Sequence, residues 1–341
     1  MAFRICVIGC GSLSTSAHGP SCRRYADRHP DVELAACCDL DAAKAERYRE
    51  SFGFSKAYSD FRAMLTAERP DAVCLMAPVS KTRELTCAVL EMGFPLIMEK
   101  PPGLNRTECQ AMIDAAERAG VPNQVAFNRR FIPVVRKTRE IVAAKAAVTQ
   151  VEGCFYKYGS AAFDKGSLCA FTSDTIHAVD LMRYLSGGRD AKKAAMVINR
   201  YDSPMDNAWN GICVFDNDVT GIIKANYRVG GRVHQFQMHG IGISAFIDLG
   251  MGAEISVQSR ILAHQGAISY SLASTGAAAE NSVILDGKEL AGSDLFHRFY
   301  GYYFEDRHFI DCVKSGDTPE TCIQDAVHSL RLVEQFLASR L

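Results

Sequence analysis

The stretch Phe3-Arg4-Ile5-Cys6-Val7-Ile8-Gly9-Cys10-Gly11-Ser12-Leu13-Ser14 decides the fold. An apolar run feeds directly into two glycines one residue apart, and the residues after them open a helical pattern. This matches the strand, turn and helix of a dinucleotide-binding unit, although glycine-rich turns also close ordinary strand–helix joints. Gly9 permits the tight turn, Gly11 lets the backbone approach a pyrophosphate, and the helix start supplies free N–H groups and a positive dipole. Cys10, Ser12 and Leu13 complete the turn that would hold the phosphates. Ser14 stands where a third glycine is usual, and it is small enough for the close helix packing needed there.

Working outward, the apolar run at 3–9 is followed by others at 32–38, 72–77, 95–99 and 122–127. Between them, 41–51, 81–92 and 107–119 carry charged residues on one side and Ala, Leu, Met or Ile on the other, at helical spacing. Strands alternating with helices predict βαβ units and a doubly wound parallel sheet, an α/β Rossmann domain over residues 1–127. Asn105 and Glu108 read as a capping box, and Gly93 and Gly120 stand where helix-closing glycines belong. The second run ends at Asp39, where a carboxylate accepts a ribose 2′-OH and repels a 2′-phosphate, so NAD is expected rather than NADP. The competing role for Asp39 is that of N-cap to the helix that follows.

After Phe131 the texture changes. A helix at 133–147 leads into a strand at 148–158, and a second helix is expected at 174–185. Strand-like runs follow at 194–201, 211–215, 220–227, 243–249 and 254–259, and helical patterns at 296–314 and 322–341 close the chain. These predict an α+β domain over residues 128–341, built on a large mixed or antiparallel sheet. The joint at 124–131 holds no flexible spacer, so the two domains are expected to pack together and to form a cleft.

The composition narrows the classes of partner. Among 341 residues, 38 Lys and Arg balance 39 Asp and Glu, and a net charge of −1 offers no field for a nucleic acid backbone or an anionic membrane. The longest apolar runs fall far short of the roughly 20 residues of a membrane span. The first eleven residues are too short for a secretory signal, so a cytoplasmic protein is expected. Thirteen cysteines are scattered from Cys6 to Cys322 without CxxC spacing, which reads as apolar filler in a reducing compartment and gives no metal site.

Glu99-Lys100-Pro101-Pro102 closes the strand run at 95–99. A lysine at the carboxyl edge of a parallel sheet points into the crevice where such folds bind ligands, and the proline after it holds its backbone extended. A solvated surface charge is the plainer alternative. The glycine turn with the later His18, the strand end Met76-Ala77-Pro78, Glu99-Lys100-Pro101, Asn128-Arg129-Arg130-Phe131 and the Asp325-Ala326 helix together resemble the Gfo/Idh/MocA oxidoreductases over nearly the whole chain.

That resemblance implies NAD(P)-linked oxidation or reduction of sugars and cyclitols, with Lys100 as the catalytic lysine. Gly9, Cys10, Gly11, Ser12, Leu13, Asp39, Ala77, Pro78, Glu99, Lys100 and Asn128 would line the cofactor. It also implies acid/base residues on a helix of the second domain, where His177 takes the histidine place and Asp180 follows it by three. The usual acid four residues earlier is Ser173 here, and the nearest acid is Asp174. Asp174, His177 and Asp180 share one helical face, so either carboxylate could serve the imidazole. Their plainer roles are a first-turn dipole partner for Asp174, a structural tie for Asp180 and a hydrogen-bonded core histidine for His177. Val79 and Thr82 replace an Asn and a His that the family often has, whereas Glu84 keeps its place.

The resemblance thus leads to an NAD-dependent dehydrogenase of a secondary alcohol on a sugar, glycoside or cyclitol. The cleft would have Lys100 on one wall and His177 on the other. Polar side chains at Tyr156, Tyr158, Asp164 and Lys165 are candidate substrate contacts. A homo-oligomer, dimer or tetramer, built through the C-terminal sheet is expected from the family. Two other readings stand beside it: a glycoside hydrolase or lyase that retains its NAD and works through a transient keto sugar, and a non-catalytic NAD-binding regulator.

Overall fold

The computed structural model describes residues 2–158, 169–249, 267–272 and 282–341. The chain forms two compact units, Met1–Phe131 with Leu295–Val327, and Ile132–Asp294 with His328–Leu341.

The first unit is built on a six-stranded sheet of β1 (Phe3–Ile8), β2 (Val32–Cys38), β3 (Lys56–Tyr58), β4 (Ala72–Leu75), β5 (Leu96–Glu99) and β6 (Asn123–Ala126), in the order β3-β2-β1-β4-β5-β6. Every pairing is parallel. Strands covered on both faces read as unbroken apolar runs, and Cys6, Cys37 and Cys74 sit among them with no exposed surface. Register aligns the strand ends: Ile8 lies opposite both Cys38 and Leu75, and Leu75 opposite Met98. Gly9, Asp39 and Met76 therefore leave the sheet at its carboxyl edge, where β5 ends at Glu99. The strand order reverses between β1 and β4, which is where open α/β sheets bind ligands.

The connecting helices are α1 (Gly19–Arg28), entered through a wide turn at Ser14–His18, then α2 (Ala42–Phe52), α3 (Phe61–Glu68), α4 (Val79–Glu91) and α5 (Arg106–Ala119). Asp41 caps α2, its carboxylate accepting from the Ala43 and Lys44 N–H groups, so Asp39 is released from that role. Asn105 accepts from the Glu108 N–H as anticipated, but Glu108 accepts in turn from the Leu104 N–H, one residue before the expected donor. β3 and α3 were not anticipated. β3 is three residues on a sheet edge, too short to show alternation.

The segment Leu295–Val327, assigned from sequence to the second domain, belongs with the first unit. The physical reason is the open edge of β6. The Val125 N–H donates to Thr321 O at 2.8 Å, the Thr321 hydroxyl donates to Val125 O at 2.8 Å, and Asn123 Oδ1 accepts from the Ile323 N–H. Tyr303, Phe309 and Ile310 complete a core cluster that includes Ile5, Tyr25 and Cys74. The single helix expected at 296–314 is two, Phe296–Phe299 and Tyr302–Ser315, with Gly301 between them at φ 91°.

The second unit carries an eight-stranded mixed sheet: β7 (Val148–Tyr158), β8 (Ala191–Asn199), β9 (Ala208–Phe215), β10 (Thr220–Asn226), β11 (Arg228–Gly240), β12 (Ile243–Asp248), β13 (Ala267–Leu272) and β14 (Ser282–Asp286), in the order β14-β13-β12-β11-β7-β10-β9-β8. Among the described residues of this sheet, only the strands β7 and β10 pair in parallel. Helix α6 (Pro133–Ala143) precedes β7, and α7 (Ile176–Ser186), buried along its whole length, packs on β7 and β10. β11 was unanticipated. Gly230 and Gly231 fall inside a register shift and read as a turn, while His234, Phe236 and Met238 point inward at strand spacing. The strand expected at 254–259 lies outside the described residues, as do Asp164 and Lys165. Among the described residues no helix is long and apolar enough to cross a membrane.

Candidate active site

In the first unit, the carboxyl edge of the sheet opens into a cleft of about 850 Å³ lined by Gly9, Gly11, Ser12, Leu13, Asp39, Ala77, Pro78 and Glu99, among others. Gly9 is obligatory. Its φ is +93°, and a Cβ there would lie 2.1 Å from Met76 O. A Cβ on Gly11 would meet nothing within 4 Å, so this backbone faces open space. Ser14 is buried and donates to the Tyr48 hydroxyl at 3.0 Å, replacing the bare helix contact of a glycine with a hydrogen bond.

Asp39 is held by both loops it touches. Its Oδ2 accepts from the Cys10 N–H at 2.9 Å and its Oδ1 from the Asp41 N–H at 2.9 Å, leaving further lone pairs toward the cleft. Cys10 was counted among the cofactor-facing residues, but its thiol is turned inward onto Cys38 O and its N–H is committed to Asp39. The neighbouring Cys37 thiol and burial push the Cys10 thiol far above its ordinary pKa, so it is inert. The same end of the cleft holds Leu40, Lys44, Phe61 and Arg62, with the Arg62 guanidinium 5.1 Å from the Phe61 ring centre. Sequence reasoning missed Phe61 and Arg62 because it missed β3 and α3.

Glu99 forms the other end of the lining. Lys100 follows it, half-buried and joined to Pro101 by a cis peptide. Asn128, expected at the cofactor, is buried and donates to Tyr300 O at 2.8 Å, which anchors the turn Asn128–Phe131. Thr82 is also buried, with its hydroxyl on Pro78 O at 3.3 Å.

In the second unit, Asp174 lies in a wide turn, Phe171–Thr175, that opens α7, and His177 is the second residue of that helix. The Asp174 carboxylate binds the Lys157 ammonium and accepts from the Tyr227 hydroxyl at 2.8 Å, and the Thr175 hydroxyl lies 2.8 Å from the same tyrosine oxygen. Lys157 also sits over the Phe155 ring at 4.5 Å. Lys157 and Tyr227 were not singled out from sequence. Only the parallel pairing of β7 with β10, which aligns Tyr156 with Asn226, brings them together. Asp180 is wholly buried and accepts from the Ser329 hydroxyl at 2.6 Å, with Arg183 at 3.7 Å, so it ties α7 to the helix Ile323–Ala338.

A family model described as an oxidoreductase family with an NAD-binding Rossmann fold, Gfo/Idh/MocA, matches residues 3–127. D-apiose dehydrogenase of Paraburkholderia graminis is 25% identical over 354 residues, covering 99% of this chain and 88% of the relative. The NAD(+)-dependent scyllo-inositol 2-dehydrogenase of Bacillus subtilis is 26% identical over 317 residues, 89% of this chain and 85% of the relative. An oxidoreductase from Agrobacterium radiobacter, solved in complex with NAD+, L-tartaric acid and magnesium, shares the fold with a TM-score of 0.80 at 18% identity, over 99% of this chain and 96% of that one. The glycine turn and the strand order agree with these similarities: residues 3–127 match the NAD-binding Rossmann domain of the Gfo/Idh/MocA oxidoreductases, and the chain as a whole is similar to sugar and cyclitol dehydrogenases.

Proposed function

We propose that the protein is an NAD-dependent dehydrogenase that oxidises a secondary alcohol of a sugar, glycoside or cyclitol, or reduces the matching ketone. The carrying observation is that Lys100 directly follows Glu99, a lining residue of the cleft that also contains the glycine turn and Asp39. Gly11 to Leu13 would hold the pyrophosphate, Asp39 the adenosine ribose, and Ala77, Pro78 and Glu99 the far end. Bound NAD supplies the hydride acceptor. His177 removes the proton of the substrate hydroxyl and Lys100 stabilises the developing alkoxide. Of the two carboxylates near His177 in sequence, Asp174 is the better candidate for proton handling, being partly exposed and already bonded to Lys157 and Tyr227, whereas Asp180 is wholly enclosed.

The relatives' named substrates, apiose and scyllo-inositol, support a polyhydroxylated substrate. Val197, Ile212 and Phe246 are exposed on the second unit's sheet, which supports a homo-oligomer formed through it, readable by light scattering. Thirteen free thiols support a cytoplasmic protein.

The test is a screen of sugars, glycosides and cyclitols with NAD+, read at the nicotinamide absorbance. On the substrate found, Lys100→Ala and His177→Ala should each lower kcat by about 10² to 10⁴ while leaving NADH affinity nearly unchanged. Near wild-type turnover in either variant would remove that residue from the mechanism. Cleavage of a nitrophenyl glycoside without net NADH would replace the reading with NAD-retaining hydrolysis.

A further inference from the structure

The dehydrogenase reading leaves His18 without a task. Its ring is wholly buried, with Nδ1 2.9 and 3.1 Å from the two Asp306 carboxylate oxygens and Nε2 3.2 Å from Glu99 Oε1. Tyr302 packs edge-on against it at 5.4 Å. Asp306 is 1% exposed and Glu99 7%. Burying three ionisable groups together is costly, and apolar side chains of similar volume commonly give equal or greater stability in such places. Stability alone is therefore a poor reason for the arrangement.

One member of the trio, Glu99, also lines the cofactor cleft. Strand order says which end it occupies. Asp39 follows β2, the glycine turn follows β1, and β4 and β5 lie on the opposite side of the switch point. With the adenosine ribose at Asp39 and the pyrophosphate at the glycine turn, the nicotinamide falls beside Met76–Pro78 and Glu99.

We propose that His18 is a positioning residue for the cofactor: braced by Asp306, it holds the Glu99 carboxylate at the nicotinamide end of the cleft, where the negative charge favours the oxidised, cationic ring over the neutral reduced one. Burial works against charge on the imidazole, but Asp306 and then Glu99 outweigh it and hold the ring well above its ordinary pKa. With the imidazole braced by Asp306, the Glu99 carboxylate is the member of the trio that lines the cleft. That carboxylate answers a conflict in the site. The Lys100 ammonium suits a developing alkoxide but repels a cationic ring, and the Glu99 carboxylate next to it in the chain offsets that repulsion.

The inference rests on NAD binding in this cleft and is independent of the substrate's identity. It is tested on the full chain by titrating NADH through its fluorescence and NAD+ by displacement of NADH. The proteins compared are the wild type, Glu99→Gln and His18→Asn, with far-ultraviolet circular dichroism as the check on folding. In Glu99→Gln the Kd for NAD+ should rise about tenfold while that for NADH changes less than about threefold, the selectivity expected of one lost charge near a cationic ring. His18→Asn should shift the ratio in the same direction, and the double variant should add little, because both changes act through one carboxylate. An unchanged ratio in Glu99→Gln, or equal weakening of both forms, overturns the proposal even if His18→Asn does not fold. A wild-type protein that binds neither form would overturn the NAD cleft itself, and this inference with it.

Discussion

The glycine turn allows fold and cofactor to be separated by two substitutions that look alike on paper. Gly9→Ala places a methyl group 2.1 Å from Met76 O and 2.9 Å from Met76 C, both backbone atoms, at a φ of +93°. The left-handed backbone alone costs about 1–2 kcal/mol. Relieving the clash requires the end of β4 to move, for a total of about 3–5 kcal/mol and a fall in Tm of the order of 10 °C. Gly11→Ala meets nothing within 4 Å, so the empty protein should keep its stability to within about 0.5 kcal/mol. A phosphate must nevertheless approach that backbone to about 2.9 Å, and the new methyl stands in its way. A loss of roughly 10² in NADH affinity, about 2.7 kcal/mol, is expected. The assay is a melt with and without NADH on the same preparations, together with a fluorescence titration. At NADH equal to 100 times the wild-type Kd, the wild type gains about 2.7 kcal/mol and Gly11→Ala only about 0.4 kcal/mol. Wild-type NADH affinity in Gly11→Ala would refute the placement of the pyrophosphate on this turn. A wild-type melt in Gly9→Ala would refute the close approach to Met76.

Three further outcomes follow from the same geometry. Asp39→Ala should weaken NADH about tenfold and move the NADPH to NADH affinity ratio toward NADPH by at least that factor, read by competitive titration. Glu68 is buried against Arg4 at 2.6 Å, Lys56 at 2.9 Å and the Tyr58 hydroxyl, so Glu68→Gln should cost about 2–4 kcal/mol at neutral pH in a denaturant melt. Burial pushes the Glu68 carboxyl up, but Tyr58, Lys56 and Arg4 more than reverse this and hold it below its ordinary 4.5. Its contribution is therefore whole above that value and lost as pH falls through the lowered one, so the gap between variant and wild type should close in acid. Asp174→Asn should lower kcat at least tenfold with little change in stability, whereas Asp180→Asn should lower stability by about 1–3 kcal/mol through Ser329 and Arg183, measured by paired kinetics and melts.

Legibility followed sequence distance. The runs at 32–38 and 72–77 were readable because strands covered on both faces are apolar throughout, and the turn from Gly9 to Ser14 because its chemistry is local. Asp39 was readable as a position, but its release from capping depended on Asp41 two residues on. β11 was hidden by Gly230 and Gly231, which mark a register shift inside a strand and look from sequence like a turn between two. Lys157 and Tyr227 meet Asp174 only through the register of two strands separated by about 60 residues of chain, which periodicity does not encode. Cys10 and Asn128 sat at cofactor-like positions, yet the Cys10 N–H and thiol are taken by Asp39 and Cys38, and the Asn128 amide N–H by Tyr300.

The bond between Thr321 and Val125 spans 196 residues of sequence. An unpaired outer strand is a template for association with other chains, and here its cover is supplied by a segment far downstream in the sequence. The NAD-binding unit, although its sheet is encoded within Met1–Phe131, cannot close until residue 327 has emerged from the ribosome. Its contact order is thus set by the length of the whole inserted second unit, and its edge stays open during most of translation. A shortened chain carrying only the N-terminal βαβ units would keep that edge bare and be prone to aggregate, whatever its affinity for NAD.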